Sequence, residues 1–160
     1  MITGRISVND YLSAQRLHRS SIAKWSNVAT GAMAICGLLM LLAGVNQMGL
    51  IVLLGGVGGL VGEYFVANVQ LPRRVARLHA QQKDLAEQFT YSWDNQYIEA
   101  QSQTGSARRP WTHYAKVKED KHMFLLYHSD NIFEMLPKSW FPNLATLDEF
   151  RKLALRSAEA

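Results

Sequence analysis

From Val28 to Val45 the chain reads VATGAMAICGLLMLLAGV, and from Met48 to Val69 it reads MGLIVLLGGVGGLVGEYFVANV, so apolar positions are continuous rather than periodic in both runs. Each is close to the roughly 20 residues that a helix needs to cross a hydrocarbon core of about 30 Å. Only Asn46 and Gln47 stand between them, and two helices joined there must run antiparallel. The pattern predicts a transmembrane helical hairpin over residues 25–70. Before it, Val8, Tyr11, Leu12 and Ile22 recur near helical spacing with Ser7 or Asn9 available as an N-cap, which predicts an amphipathic cytoplasmic segment over residues 1–24. After it, Pro72 marks a break, and Val75, Leu78, Leu85 and Phe89 restore a helical period, giving a juxtamembrane helical connector over residues 71–88.

From Phe89 the period shortens to two. Phe89, Tyr91 and Trp93 alternate with Thr90 and Ser92, Asp94-Asn95 supplies a turn, and Tyr97 to Ser102 continues as a second extended segment. Thr104 to Arg109 is rich in turn formers, Trp111 to Lys118 gives a third strand, and Glu119-Asp120-Lys121 gives another turn. The run HMFLLYH, His122 to His128, is the strongest strand former. Ser129-Asp130-Asn131 then leads into Ile132 to Leu136, ended by Pro137. Thr146 and Glu149 have the spacing of a capping box for a last helix, whose apolar face is Leu147, Phe150, Leu153 and Ala154. These elements predict an α+β membrane protein: the hairpin followed, over residues 89–160, by a small sheet of four or five antiparallel strands with the C-terminal helix packed on it.

Charge sharpens the division between the two halves. The chain as a whole is unremarkable, with 48% apolar and 19% charged residues, but no Asp, Glu, Lys, Arg or His lies between Lys24 and Glu63. Arg16, Arg19 and Lys24 precede the first span, Arg73, Arg74 and Arg77 follow the second, and the loop carries no basic residue. Basic flanks are retained on the cytoplasmic side, so both termini are expected there. Trp25, Tyr64 and Phe65 stand at the same expected interface. A cleaved signal peptide would have a shorter apolar stretch and no second span. A core hairpin of a soluble protein would need more surrounding chain than the polar remainder offers.

Candidate chemistry is sparse. Gly55 with Gly59, and Gly58 with Gly62, are four apart in the second span and suit close packing between copies, while the favoured reading packs Gly55, Gly56, Gly58 and Gly59 against Gly31, Ala32, Gly37 or Ala43 of the first span. Glu63 is an ionisable group inside a span, read mainly as an interfacial carboxylate beside Tyr64 and Phe65 rather than as an ion relay. Arg108, Arg109, Lys116, Lys118, Lys121 and Lys138 are the candidates for contact with an anionic leaflet or a partner. His113, His122 and His128 read as surface or edge residues, and the lone Cys36 has no disulfide partner. No metal, cofactor, nucleic-acid or catalytic motif is legible, so an enzyme is not expected.

The order of SVNDYL, two closely joined spans, WTHYAKVKEDKHMFLLY, MLPKSWF and LDEFRKL resembles the YcxB-like family of bacterial membrane proteins. The features that carry the resemblance best are Trp111, the acidic turn Glu119-Asp120, the aromatic strand Phe124 to Tyr127, and Pro137-Lys138. The resemblance implies a small PH-like β-domain closed by the terminal helix and held at the cytoplasmic membrane face, and it implies no activity. The polar segment Gln101 to Arg109 departs from the pattern. The expectation is therefore a membrane-anchored interaction module binding a protein partner or the leaflet, with a hairpin oligomer forming a pore or transport assembly as the alternative.

Overall fold

A computed structural model describes residues 1–82 and 87–158, with side chains as far as residue 156. Leu85, expected on the connector's apolar face, lies outside the described residues. The chain divides into two compact units, residues 19–74 and residues 1–18 together with 75–160.

The first unit is the helical hairpin. Helix α1 (Val8–Leu42) supplies its first arm and α2 (Asn46–Phe65) its second. The turn falls on Ala43 to Val45 rather than on Asn46-Gln47, which open α2. Gly44 sets it: its φ of +81° closes α1 with hydrogen bonds from Gly44 N–H to Leu41 C=O and from Val45 N–H to Met40 C=O, the paired bonds of a Schellman cap. Pro72 does not break the second arm. A π-helical turn (Val66–Gln70) carries the chain without interruption into α3 (Leu71–Gln81). Because proline lacks an N–H and crowds the preceding turn, a wider turn just before it lets the helix continue. Both arms are long and apolar enough to cross a membrane, and only 6% of the apolar window of each is buried.

The arms touch through glycine. A Cβ at Gly37 would fall 2.6 Å from Leu53 Cα and 2.9 Å from Gly49 C=O; one at Gly49 would fall 2.8 Å from Leu41 N; one at Gly56 would fall 2.7 Å from Ala34 Cα. Gly49 and Gly56 are seven residues, two helical turns, apart and are the buried residues of α2. Gly59 meets Thr30 and Gly55 meets the Met33 methyl, rather than the expected Gly31, Ala32, Gly37 or Ala43, and Gly58 and Gly62 have nothing within 4 Å.

The second unit holds seven strands in two antiparallel sheets. The first sheet has the order β1 (Ile2–Gly4), β2 (Phe89–Trp93), β3 (Tyr97–Gln101), β4 (Ser106–Pro110); the second has β5 (Lys116–Glu119), β6 (Met123–Tyr127), β7 (Phe133–Pro137). Three of these strands differ from expectation. β1 pairs Ile2 with Tyr91 and Gly4 with Phe89, so the N-terminus adds an edge strand. β4 replaces a predicted turn and pairs Ala100 with Ala107 and Ile98 with Arg109. Its inward positions, Ala107 and Arg109, are too small or too charged to be read as a strand face. Trp111–His113 is a 3-10 turn, so the third predicted strand begins only at Lys116.

Alternation distributes β6 between two cores. Phe124 and Leu126 point inward and join Ile2, Tyr91, Ile98, Trp111, Leu136 and Phe150 of the terminal helix α4 (Leu144–Ala158). Met123, Leu125 and Tyr127 point to the other face, where Ala14 and Leu17 of α1 cover them. Both faces of β6 are thus buried, which explains a run with no polar alternation. Residues 1–18, expected as part of a separate segment over 1–24, are structural members of this unit. A reciprocal Ser7–Asp10 cap starts α1, with Ser7 N–H on Asp10 Oδ2 at 3.0 Å and Asp10 N–H on Ser7 Oγ at 3.1 Å. α4 begins one turn earlier than expected: Asn143 is its N-cap, its Oδ1 accepting from Thr146 N–H at 2.8 Å.

Candidate functional site

The six cations singled out in the sequence do not form one surface. Arg108 and Arg109 are neighbours on β4 and therefore point to opposite faces of the first sheet. Arg108 faces out, 3.4 Å from Asp94 Oδ2 and over the Tyr97 ring at 4.4 Å. Arg109 faces in and meets Glu134 of β7 at 2.5 Å. Lys116 pairs with Asp130 at 2.8 Å, and Lys138 with Glu119 at 2.5 Å. Lys118 donates to the His18 carbonyl at 3.2 Å, and Lys121 is exposed in the β5–β6 turn. In the hairpin, Glu63 stands 3.9 Å from Arg19.

Two carboxylates organise the polar interior. Glu119 accepts from Arg151 Nε at 2.9 Å as well as from Lys138, and Arg151 also holds Asp148, so β5, the turn after β7 and α4 are tied at one point. Burial opposes ionisation of Glu119, but hydrogen bonds from Arg151 and Lys138 outweigh it and hold the carboxyl below its ordinary range. Both cations of this network are paired with carboxylates.

Glu134 is different, because its network borders a cavity. Its Oε1 accepts from Arg109 and lies 2.9 Å from His128 Nε2, and its Oε2 accepts from the Tyr114 hydroxyl at 3.2 Å. The His128 ring lies against Tyr114 at 4.8 Å and His113 at 5.6 Å. Beside it a cavity of about 380 Å³ is floored by the inner face of β2–β4, with Phe89, Tyr91, Ala100 and Ala107 as its apolar wall, Arg109 and Glu134 at one end, and the Ser102–Ser106 turn at the rim. Tyr91 is only 6% exposed, and its hydroxyl has no hydrogen-bond partner among the described residues, so it opens into that space. Burial, and then the Glu134 carboxylate, push the ionisation of Tyr91 and Tyr114 well above the ordinary tyrosine range, so both remain O–H donors.

Sequence reasoning named Arg109 but not Glu134, Tyr91 or Tyr114 as site residues, and it read His128 as a surface or edge residue. Glu134 alternates with Phe133 and Met135 at an inward strand position where an apolar residue is usual. That mismatch is the signal a one-dimensional reading offers for it.

Residues 93–154, from the end of β2 into α4, match the family model described as YcxB-like protein. No curated protein and no solved structure matches the chain.

Proposed function

We propose that this chain, YcxB-like over residues 93–154, is a membrane-anchored interaction module: a two-span hairpin holds a PH-like domain at the cytoplasmic face of a bacterial inner membrane, where the domain binds a protein partner. The observation that carries the reading is the position of the hairpin in the chain. Ile2–Gly4 completes the sheet that Phe89–Trp93 continues, so both apolar arms lie within the first connection of the domain. Four strands, then three, then a terminal helix is the order that a PH-like domain requires, and the hairpin interrupts it once. A hydrocarbon surrounding accounts for Ile35, Leu39, Ile51 and Leu54, each 60% or more exposed, and the basic flanks orient the arms.

The domain acts by binding, not by catalysis. A protein partner is favoured over the leaflet because four of the six candidate cations already hold carboxylates. Topology is tested with the native cysteine removed: in Cys36→Ala, a Gln47→Cys thiol reacts with an impermeant maleimide on intact cells and a Ser129→Cys thiol only after permeabilisation. The reverse pattern, or release of the protein by alkaline carbonate, ends the anchoring reading. Gentle crosslinking of the full chain in its native membrane tests the partner: recurrent recovery of one protein supports it, and recovery of lipid alone replaces it with leaflet contact.

The open face at Gly58 and Gly62 supports a second reading, self-association of hairpins toward a pore or transport assembly. Gly58→Leu in mild detergent reduces particle size if that reading holds.

A further inference from the structure

We propose that the cavity on the inner face of β2–β4 binds a monocarboxylate with a short apolar tail, whose oxygens are taken by Arg109 and Tyr91. Arg109 spends its Nη1 on Glu134 and also reaches the Tyr114 hydroxyl, and its side chain is still 36% exposed, so part of the guanidinium is open to a ligand. Glu134 cannot swing away, because His128 and the Tyr114 hydroxyl hold it from other directions. The guanidinium is therefore prepositioned, and a planar fork of donors matches a carboxylate with two charge-assisted hydrogen bonds. The Tyr91 hydroxyl supplies one more donor from the wall.

The remaining walls define the rest of the ligand. Ala100 and Ala107 are cross-strand neighbours on the inner face, and their small side chains create the space. Together with Phe89 they offer an apolar surface that suits a few methylene or methyl groups. About 380 Å³ is within the roughly 300–1,000 Å³ typical of small-molecule sites. Charge limits the head group. The single guanidinium is already balanced by Glu134, and Glu87 stands at the rim, bonded to Thr104 at 3.2 Å. A phosphate dianion would face both carboxylates with two charges, whereas a carboxylate brings only one.

A small acid and a peptide C-terminus present the same chemistry, and the test separates them. Full-length protein in detergent micelles is titrated calorimetrically with butyrate, butyramide, inorganic phosphate, and the tripeptide Gly-Ala-Val with a free or an amidated C-terminus. The expected result is saturable binding of butyrate or of the free-acid tripeptide, at least tenfold tighter than the matching amide and tighter than phosphate. Whichever acid binds identifies the source. Tyr91→Phe, which removes only the hydroxyl, weakens it at least fivefold at an unchanged melting temperature, and Ala107→Leu, which fills the cavity, abolishes it. The assignment is overturned if neither acid binds, if acid and amide bind alike, if phosphate binds more tightly, or if both variants bind as the parent does. Since the measurement is made in micelles, its failure leaves the anchoring of the hairpin untouched.

Discussion

The two units solve the packing problem with opposite residues. In the hairpin the closest approaches to backbone are made by Gly37, Gly49 and Gly56, while Leu39, Ile51 and Leu54 point away from the partner arm. In the α/β unit Phe124, Tyr127 and Phe150 are fully buried, and glycine matters at one contact, where the Trp140 indole lies on Gly4. Water drives large apolar side chains together, which is what the second unit does. In hydrocarbon that drive is absent, and association rests on backbone proximity, which only missing side chains allow. The proposed membrane anchoring accounts for the contrast as one chain written for two solvents.

The largest effect that would break this contrast is in the aromatic core. Phe150→Ala should cost the α/β unit about 3–5 kcal/mol, seen as a lower urea midpoint in detergent, with carbonate-resistant membrane association unchanged. Loss of membrane association along with the core would show that the units are not energetically separate. Next is the glycine seam. Gly56→Leu places a side chain within 3 Å of the Ala34 and Thr30 backbone, at about 1–3 kcal/mol of overpacking. Oxidative crosslinking of Met33→Cys to Gly55→Cys should then fail, whereas Gly58→Leu should leave it intact.

A smaller change sharpens the polar side of the comparison. Glu119→Gln should cost about 1–2 kcal/mol at pH 7, since Lys138 and Arg151 lose a charged acceptor. The folded carboxyl titrates below its unfolded value of about 4.3, so its contribution is complete above that value and disappears as pH falls through the folded pKa. The variant should therefore show a flatter stability profile in acid than the parent. The smallest expected effect is at His18. Burial, then the ammonium groups of Lys118 and Lys116, hold its imidazole below the usual 6.5. The unfolded chain binds the proton more readily, so stability falls as pH drops below about 6.5 and levels off once the folded imidazole is also protonated. His18→Gln should remove that slope by less than about 1 kcal/mol, and an unchanged profile would mean that His18 does not titrate in the docked helix.

Much of this architecture is legible in one dimension where it rests on local pattern. Two continuous apolar runs suffice for the helical arms. Period-two alternation suffices for β2, and the spacing of Leu147, Phe150 and Ala154 for the buried face of α4. Spacing brought Gly55 and Gly59 together but did not give their partners, Met33 and Thr30. Pro72 and the Thr146–Glu149 pair misled, because each is a local signal whose outcome depends on a neighbour: a π-helical turn in the first case and Asn143 in the second.

The candidate site was legible only as fragments. Arg109 was visible as a cation, but its carboxylate lies on the other sheet, and Tyr91 gave no hint that its hydroxyl would open on a cavity.

The sequence alone determined the apolar arms, the change of period at Phe89 and the helical face at the end, since each follows from side chains a few positions apart. Tertiary structure decided that Ile2–Gly4 is a strand, that Ala14 and Leu17 cover β6, that β4 turns Arg109 inward, and that Glu134 holds it there. Those outcomes depend on pairings between residues distant in the chain. Burial removes the alternatives by leaving a polar group either satisfied by its new neighbour or costly, and no local pattern records which neighbour that will be.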